Sequence, residues 1–228
     1  MKNKSLIIVG ILLVVILLIV ATSISPKEEK VKEKLLGIDY NIDGNETKLK
    51  YDTENPVVAM YIKNYGSIVM ELYPDVAPNT VNNFISLVKS GFYDNNSFHR
   101  LVPGFVLQGG DPTGTGTGGP GYNIKGEFNN NGFENNLSHK KWVVSMARSS
   151  EPDSAGSQFF ICIDDAINLD GQYATFGKVI DGFDIIEKIV ENERVADQDS
   201  GKLVNNLVIK KTLIDLHDKE YDDVVKVN

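Results

Sequence analysis

Arg100 interrupts the short apolar run SFHRLV, and Gln108 sits near the end of the next one, FVLQGG. A guanidinium is permanently charged and forked, so on an extended strand it can aim several donors at one acceptor. Taken alone, Arg100 is either a surface arginine on an edge strand or a donor to a bound group. The other reactive residue types are weaker candidates. The three histidines, His99, His139 and His217, are widely spaced and show none of the i, i+4 pairing of a zinc site. Ser145, Ser154 and Ser157 lack the G-x-S-x-G context that exposes a nucleophilic serine. Cys162 is the single cysteine, which excludes an intrachain disulfide and a cysteine-rich metal site. Inside QFFICI it reads as a small buried hydrophobe.

Two stretches imitate ligand-binding loops. In GGDPTGTGTGGPG, residues 109–121, Gly114, Gly116 and Gly119 fit the spacing of a dinucleotide-binding turn. Such a turn must open a helix, whose N-terminus holds the pyrophosphate. Here the glycines run into Pro120, Gly121, Tyr122 and Asn123 with no helical periodicity, so an irregular loop that needs close backbone approach is expected instead. Asp39, Asn41, Asp43 and Gly44 open like a calcium loop, but its twelfth position, which should be a bidentate glutamate, is Lys50. A hairpin turning at Asp43 and Gly44 explains the same residues.

The elements that must position these residues follow from hydrophobic periodicity. VVAMYIKNYGSIVMELY predicts two strands joined at Lys63–Gly66, and SFHRLV, FVLQGG, WVVSMA, QFFICI and YATFGKV predict further short strands. Val81, Phe84, Ile85 and Val88 recur at helical spacing between Pro78 and Gly91. A second helix is expected from Gly182 to Val190 with Phe183, Ile186, Ile189 and Val190 facing inward, and a last strand from Leu207 to Leu216. Many short strands with few helices suggest a mainly β fold, a closed antiparallel barrel or a sandwich.

The ends of the chain are of different character. Lys2 and Lys4 precede an uncharged apolar run from Leu6 to about Ile24, long enough to cross a membrane. Residues 1–25 are expected to be a signal-anchor or signal peptide, with cleavage near Ala21, Ser23 and Ser25 as the alternative. The two lysines favour a cytoplasmic N-terminus and an exported body. Residues 26–55 read as a charged spacer, 56–217 as one domain and 218–228 as an acidic tail. The formal charge of the 228-residue chain is −8, and the body without Lys2 and Lys4 is more acidic still. That balance argues against nucleic acid as a partner.

The blocks FHR-x-x-PGF-x-x-QGGD, GSQFFI and LDG-x-x-x-x-FG occur here in order. They closely resemble the cyclophilin family of peptidyl-prolyl cis-trans isomerases over about Pro56 to Leu216. The resemblance implies a closed eight-stranded antiparallel barrel capped by two α-helices, with an active groove on one outer face and no metal or cofactor. A monomer is the expected state. By the resemblance Arg100 is the donor to the prolyl nitrogen and Gln108 orients it and binds the substrate backbone. Phe105, Val106, Phe160 and Leu169 wall the proline pocket, although core packing explains such residues equally from pattern alone. Phe159 and Phe160 alternate along one strand, and the resemblance makes Phe160 the outward one. Ala147 and Arg148 fall on the strand that pairs with extended peptide, and Gln158 lines the groove.

The departures from the family pattern are local. Arg148 stands where many relatives carry Asn, Asn168 where many carry Trp, and Tyr173 where many carry His. The missing Trp predicts weak binding of the cyclic peptide cyclosporin, and Tyr173 retains an aromatic face and a hydroxyl. The implied partners are proline-containing polypeptides and, through the N-terminal run, a membrane. The implied function is X-Pro isomerisation that assists the folding of exported chains. A non-catalytic peptide-binding module using the same groove is the alternative.

Overall fold

The chain folds around paired strands whose alternate residues point to a common interior. The structure is a computed structural model that describes residues 40–43 and 46–227. The apolar run from Leu6 to Ile24, and with it the expected membrane or signal helix, lies outside the described residues. Among the described residues no helix is long and apolar enough to cross a membrane.

Strands β1 (Tyr40–Asp43) and β2 (Glu46–Leu49) form an antiparallel hairpin in which Asp43 faces Glu46. Tyr40–Asp43, the described part of the stretch with the calcium-loop spacing, is therefore one arm of a hairpin, while Asp39 and Gly44 lie outside the described residues. Leu49 is buried and its N–H donates to the buried carboxylate of Asp215 at 2.7 Å. The hairpin belongs to the same compact unit as the residues after Pro56.

Strands β3 (Val57–Ile62) and β4 (Gly66–Leu72) follow as expected, joined by a tight turn in which Asn64 and Gly66 take positive φ. After helix α1 (Pro78–Lys89) come β5 (Ser97–Val102) and β6 (Val106–Gly109). The two-residue β7 (Asn123–Ile124) leads to β8 (Val143–Met146), β9 (Phe159–Cys162) and β10 (Thr175–Asp181). Helix α2 (Phe183–Asn192), β11 (Val195–Asp197), β12 (Lys202–Asp215) and β13 (Lys226–Val227) complete the chain.

Closure depends on β12, which has 14 residues and is twice as long as β10. Its second half pairs with β3, from Ile209 opposite Ile62 to Asp215 opposite Val57. Its first half pairs with β5, placing Leu207 opposite Phe98 and Lys202 opposite Arg100. The order β12-β3-β4-β10-β8-β9-β6-β5 thereby returns to β12 as a closed eight-stranded antiparallel barrel, with β11 as an added edge on β12. The sequence expectation of a final strand starting at Leu207 missed the segment that seals the barrel. Lys202, Asn205 and Asn206 are polar, and their side chains face solvent while the backbone pairs.

The interior is aromatic. Phe84 of α1 meets Phe159 edge-on at 5.3 Å and Phe176 at 5.1 Å, while Phe98 meets Phe159 at 5.6 Å. Each fully buried ring contributes roughly 1.5–3 kcal/mol. Helix α1 begins at Pro78, which has no N–H to leave unpaired. Its other first-turn donors go to a distant carboxylate: Asn79 and Thr80 donate their N–H groups to buried Glu127 at 3.0 and 2.8 Å. In α2 the buried residues are Ile186 and Ile189; Phe183, expected to face inward, is exposed and packs on Trp142 at 5.2 Å. It starts the helix, where the chain has just left Gly182 at the barrel edge, so the first turn overhangs the core.

Candidate active site

Antiparallel pairing of β5 with β6 sets Arg100 opposite Gln108, and pairing of β6 with β9 sets Gln108 opposite Phe160. Three sequence-separated residues thus lie side by side on the outer face of the barrel. Their polar ends form a chain of hydrogen bonds. Arg100 donates from Nη1 to Gln108 Oε1 at 3.1 Å, and Gln108 donates from Nε2 to Gln158 Oε1 at 3.1 Å. Gln158 in turn donates to the carbonyls of Gly116 and Gly118 at 3.0 and 2.9 Å.

The other side of the arginine is held by a turn that sequence reading passed over. Arg100 Nε donates to the carbonyl of Ser200 at 2.7 Å. The next residue, Gly201, has φ of +72°, and a Cβ there would stand 2.6 Å from Val102 Cγ2 and 2.8 Å from the Leu101 carbonyl. Only glycine lets the β11–β12 turn press so close to Arg100. The guanidinium is therefore fixed at Nε and Nη1, while Nη2 has no protein partner among the described residues. Partial burial lowers the guanidinium pKa, and the nearby Tyr173 hydroxyl opposes that shift.

Beside this relay lies a second apolar cluster, separate from the barrel interior. Val106, Phe160, Cys162 and Ala166 are buried in it, with Phe105, Ala147, Leu169 and Tyr173 packed against them. Six of the residues named from sequence, Phe105, Val106, Ala147, Phe160, Leu169 and Tyr173, are brought together here. Phe159, by contrast, belongs to the barrel interior. Cys162 is buried in the outer cluster, and burial pushes its thiol up to about 12.

Phe160 and Tyr173 meet edge to face at 5.7 Å. Behind them stands His139, buried, stacked on Phe160 at 6.0 Å and edge-on to Tyr173 at 6.5 Å. Its Nδ1 is 2.8 Å from Asp170 Oδ1 and its Nε2 is 3.0 Å from Ser145 Oγ. Burial lowers the His139 pKa, and Asp170 only partly opposes it. Desolvation acts to raise Asp170, but the His139 N–H, the Ser138 hydroxyl and the His139 ring outweigh it and hold the carboxyl below its usual range. An Asp–His–Ser chain has the partners of a hydrolase, yet Ser145 is fully buried and reaches no solvent. No spacing rule would have joined His139 to Asp170, 31 positions away.

Arg148 is pinned. Its Nε donates to the Gln172 carbonyl at 3.0 Å and Nη1 to those of Ser149 and Ser150 at 2.8 and 3.1 Å. The guanidinium lies over Tyr173 and Phe128, 4.7 and 5.1 Å from the ring centroids. Asn168 is exposed on the 3-10 turn Ile167–Leu169, and its carbonyl accepts from Gln172 at 2.7 Å. It is outside both apolar clusters.

The glycine-rich loop is organised around one carboxylate. Asp111 is buried and accepts from the N–H groups of Thr113, Thr115 and Gly116 and from the Thr113 hydroxyl. Burial alone would raise its pKa; these donors hold it far below the usual carboxylate range. Gly114 and Gly116 take positive φ, and the chain continues into β7 without a helix. The loop is a rim: a cavity of about 680 Å³ lies beneath it, lined by Gly116–Asn123, Gln108, Ala147, Arg148 and Gln158. This cavity adjoins the Phe160 cluster and shares only Ala147 with it.

The site is thus an arginine relay beside an outward apolar cluster on the wall of a closed antiparallel barrel. The family described as cyclophilin type peptidyl-prolyl cis-trans isomerase/CLD matches residues 57–214. A peptidyl-prolyl cis-trans isomerase of Helicobacter pylori is 45% identical over 132 residues, 57% of this chain and 78% of that protein. Peptidyl-prolyl cis-trans isomerase B of Bacillus subtilis is 45% identical over 128 residues, 56% of this chain and 86% of that protein. Longer relatives also match, and the alignment then covers only 28% of their length, as for a peptidyl-prolyl cis-trans isomerase-like 2 of Cryptococcus neoformans. Among solved structures, a Cryptosporidium parvum cyclophilin type isomerase aligns at 36% identity with a TM-score of 0.61, over 70% of this chain and 97% of that one. The same Cryptosporidium protein, solved in the presence of the dipeptide Ala-Pro, aligns at 37% identity. The chain belongs to the cyclophilin-type peptidyl-prolyl cis-trans isomerase family.

Proposed function

We propose that this chain's isomerase chemistry, rotation about X-Pro bonds, is performed in the outer groove headed by Arg100. An X-Pro amide rotates slowly because resonance imposes a barrier of about 18–20 kcal/mol. At the twisted midpoint the prolyl nitrogen is pyramidal and carries a usable lone pair. A donor aimed at that nitrogen, an apolar pocket for the ring and polar groups for the flanking backbone are sufficient. The single observation that carries the assignment is the held guanidinium: Ser200 and Gln108, the latter opposite Phe160 in the strand register, fix two of its nitrogens, and Nη2 has no protein partner among the described residues.

In this reading Phe105, Val106, Phe160, Leu169 and Tyr173 hold the prolyl ring. Gln108, Gln158, Ala147 and Arg148 face the flanking peptide, and exposed Asn168 adds little. A hydrogen bond to a charged group contributes roughly 1.5–3 kcal/mol, about 10–200-fold in rate. Further acceleration comes from binding the twisted amide better than the planar one and removing it from water. The Ala-Pro dipeptide used with the Cryptosporidium protein supports proline-containing peptides as the ligand class. The test is turnover of a short X-Pro peptide by the full chain and by Arg100→Lys, which keeps the charge but not the fork. Near-complete loss in the folded variant is expected; undiminished turnover would remove Arg100 from the reaction.

The same reading places the domain, as a monomer, outside the cytoplasmic membrane, tethered by Leu6–Ile24 or released by cleavage after it, and acting on newly exported chains. Its support is the length of the uncharged run and the two lysines before it. Protease added to intact cells should release the domain; complete protection with an intact membrane would contradict an exported domain. Weak cyclosporin binding is expected from Asn168, and inhibition as tight as in Trp-bearing relatives would contradict it.

A further inference from the structure

Beyond Asp215 the chain leaves the barrel and returns across α1. Tyr221 and Val224 pack against the barrel's hydrophobic cluster. The Asn79 side chain then clamps the backbone of Val225, accepting its N–H at Oδ1, 2.8 Å, and donating from Nδ2 to its carbonyl, 2.9 Å. One amide thus supplies both the donor and the acceptor that a neighbouring strand would offer. Lys226 Nζ stands 4.1 Å from the centroid of the Tyr122 ring. The segment ends as β13, paired antiparallel with β7 so that Lys226 faces Ile124 and Val227 faces Asn123. Val227 is part of the wall of the 680 Å³ cavity that Gln108, Ala147 and Gln158 also line. The family match stops at residue 214, so this wall is not part of the matched domain.

We propose that the C-terminal segment 219–227 is a resident strand of the substrate groove that limits, by size, the peptide side chain seated next to the X-Pro unit. The proposal rests on the isomerase reading and extends it to substrate selection. The cavity shares Gln108 and Gln158 with the arginine relay, so a peptide whose proline lies by Phe160 must send a neighbouring residue toward it. There the residue meets Val227. The pairing edge of β7 is already occupied by β13, so the peptide is met by a side-chain wall and not by an open strand. A wall of one aliphatic side chain discriminates strongly, because one methylene in a pocket changes selectivity by roughly 10–200-fold.

The test uses the full chain, a chain ending at Asp218, and the single variants Val227→Ala, Val227→Trp and Asn79→Ala. Each is assayed on X-Pro peptides whose flanking residue is Ala, Leu or Trp. The quantity read is the rate for the Trp peptide divided by that for the Ala peptide. We expect this ratio to rise about tenfold on truncation, on the scale set by pocket discrimination. It should rise less in Val227→Ala, fall in Val227→Trp, and move toward the truncated value in Asn79→Ala, which frees the strap without touching the cavity. An unchanged ratio across the series overturns the proposal, as does an equal rise for all peptides, which would make the segment a plain competitor. The two Val227 variants carry the test if the shortened chain does not fold. Binding of the same peptides, followed by fluorescence anisotropy, reads the ratio even if no variant converts them. Failure of the isomerase reading is thereby separated from failure of size selection.

Discussion

Phe159 and Phe160 are neighbours on β9, carry the same ring and end on opposite sides of the barrel wall. Phe159 is buried among Phe84, Tyr93 and Phe98, rings whose neighbours are almost all apolar. Phe160 is nearly as buried, at 5% exposure against 0%. Burial therefore does not separate the two. What separates them is the layer behind the ring: Phe160 rests on His139, which is tied to Asp170 and Ser145, and meets Tyr173, which lies under Arg148. The inner cluster is held mainly by packing, with the Tyr93 hydroxyl donating to the Ser157 carbonyl at 2.9 Å. The outer one is an apolar surface held in place by hydrogen bonds, as a pocket must be if it is to stay open for a ligand.

Substitution should split stability from turnover along this line. Phe159→Ala is expected to destabilise the domain by about 3–5 kcal/mol, as large-to-small core changes do. Chemical unfolding measures it. Phe160→Ala should cost clearly less stability and yet abolish most turnover, since the ring it removes walls the proposed proline pocket. Equal stability losses, or turnover retained in Phe160→Ala, would erase the distinction.

A smaller effect tests the interior from a polar side. Glu127 accepts the first-turn N–H groups of α1 and the Thr80 hydroxyl, so Glu127→Ala strands buried donors. The expected cost is about 1–3 kcal/mol, with turnover of the remaining folded protein unchanged. Thermal unfolding paired with the peptide assay checks both halves.

The smallest effect belongs to the outer layer. Burial lowers the His139 pKa below its ordinary value of 6.5, so the folded state favours the neutral ring. Between the folded and unfolded values the unfolded chain binds more protons, and stability rises with pH. The contribution is fully present above 6.5 and is lost as the pH falls toward the folded value. Stability and pocket integrity should decline gently below that pH, and His139→Gln should flatten this part of the profile. A decline as steep in the variant as in the parent would assign it to other groups.

Much of both regions is written in local pattern. The spacing of Val81, Phe84, Ile85 and Val88 gave α1, and alternation along QFFICI separated the two faces of β9. The blocks around Arg100, Gln108 and Phe160 fell into one site because strands β5, β6 and β9 are adjacent in the barrel. What stayed hidden is non-local. The first half of β12 is too polar to look like a strand, and only its pairing with β5 makes it one. Ser200 and Gly201 hold Arg100 from 100 positions away. Glu127 caps a helix 47 positions earlier, and Asn79 clamps Val225 across 146. Phe183 failed for the opposite reason: its helical phase was correct, but the first turn of α2 extends past the core it was expected to reach.

The central claim is that the guanidinium of Arg100 acts on the twisted amide rather than on the bound peptide as such. It is tested most directly by measuring, for the full chain and Arg100→Ala, both the rate of cis-to-trans conversion of an X-Pro peptide and the affinity for that peptide. The account predicts that conversion collapses while the domain stays folded and most of the binding remains. Conversion that persists in a folded Arg100→Ala would contradict it.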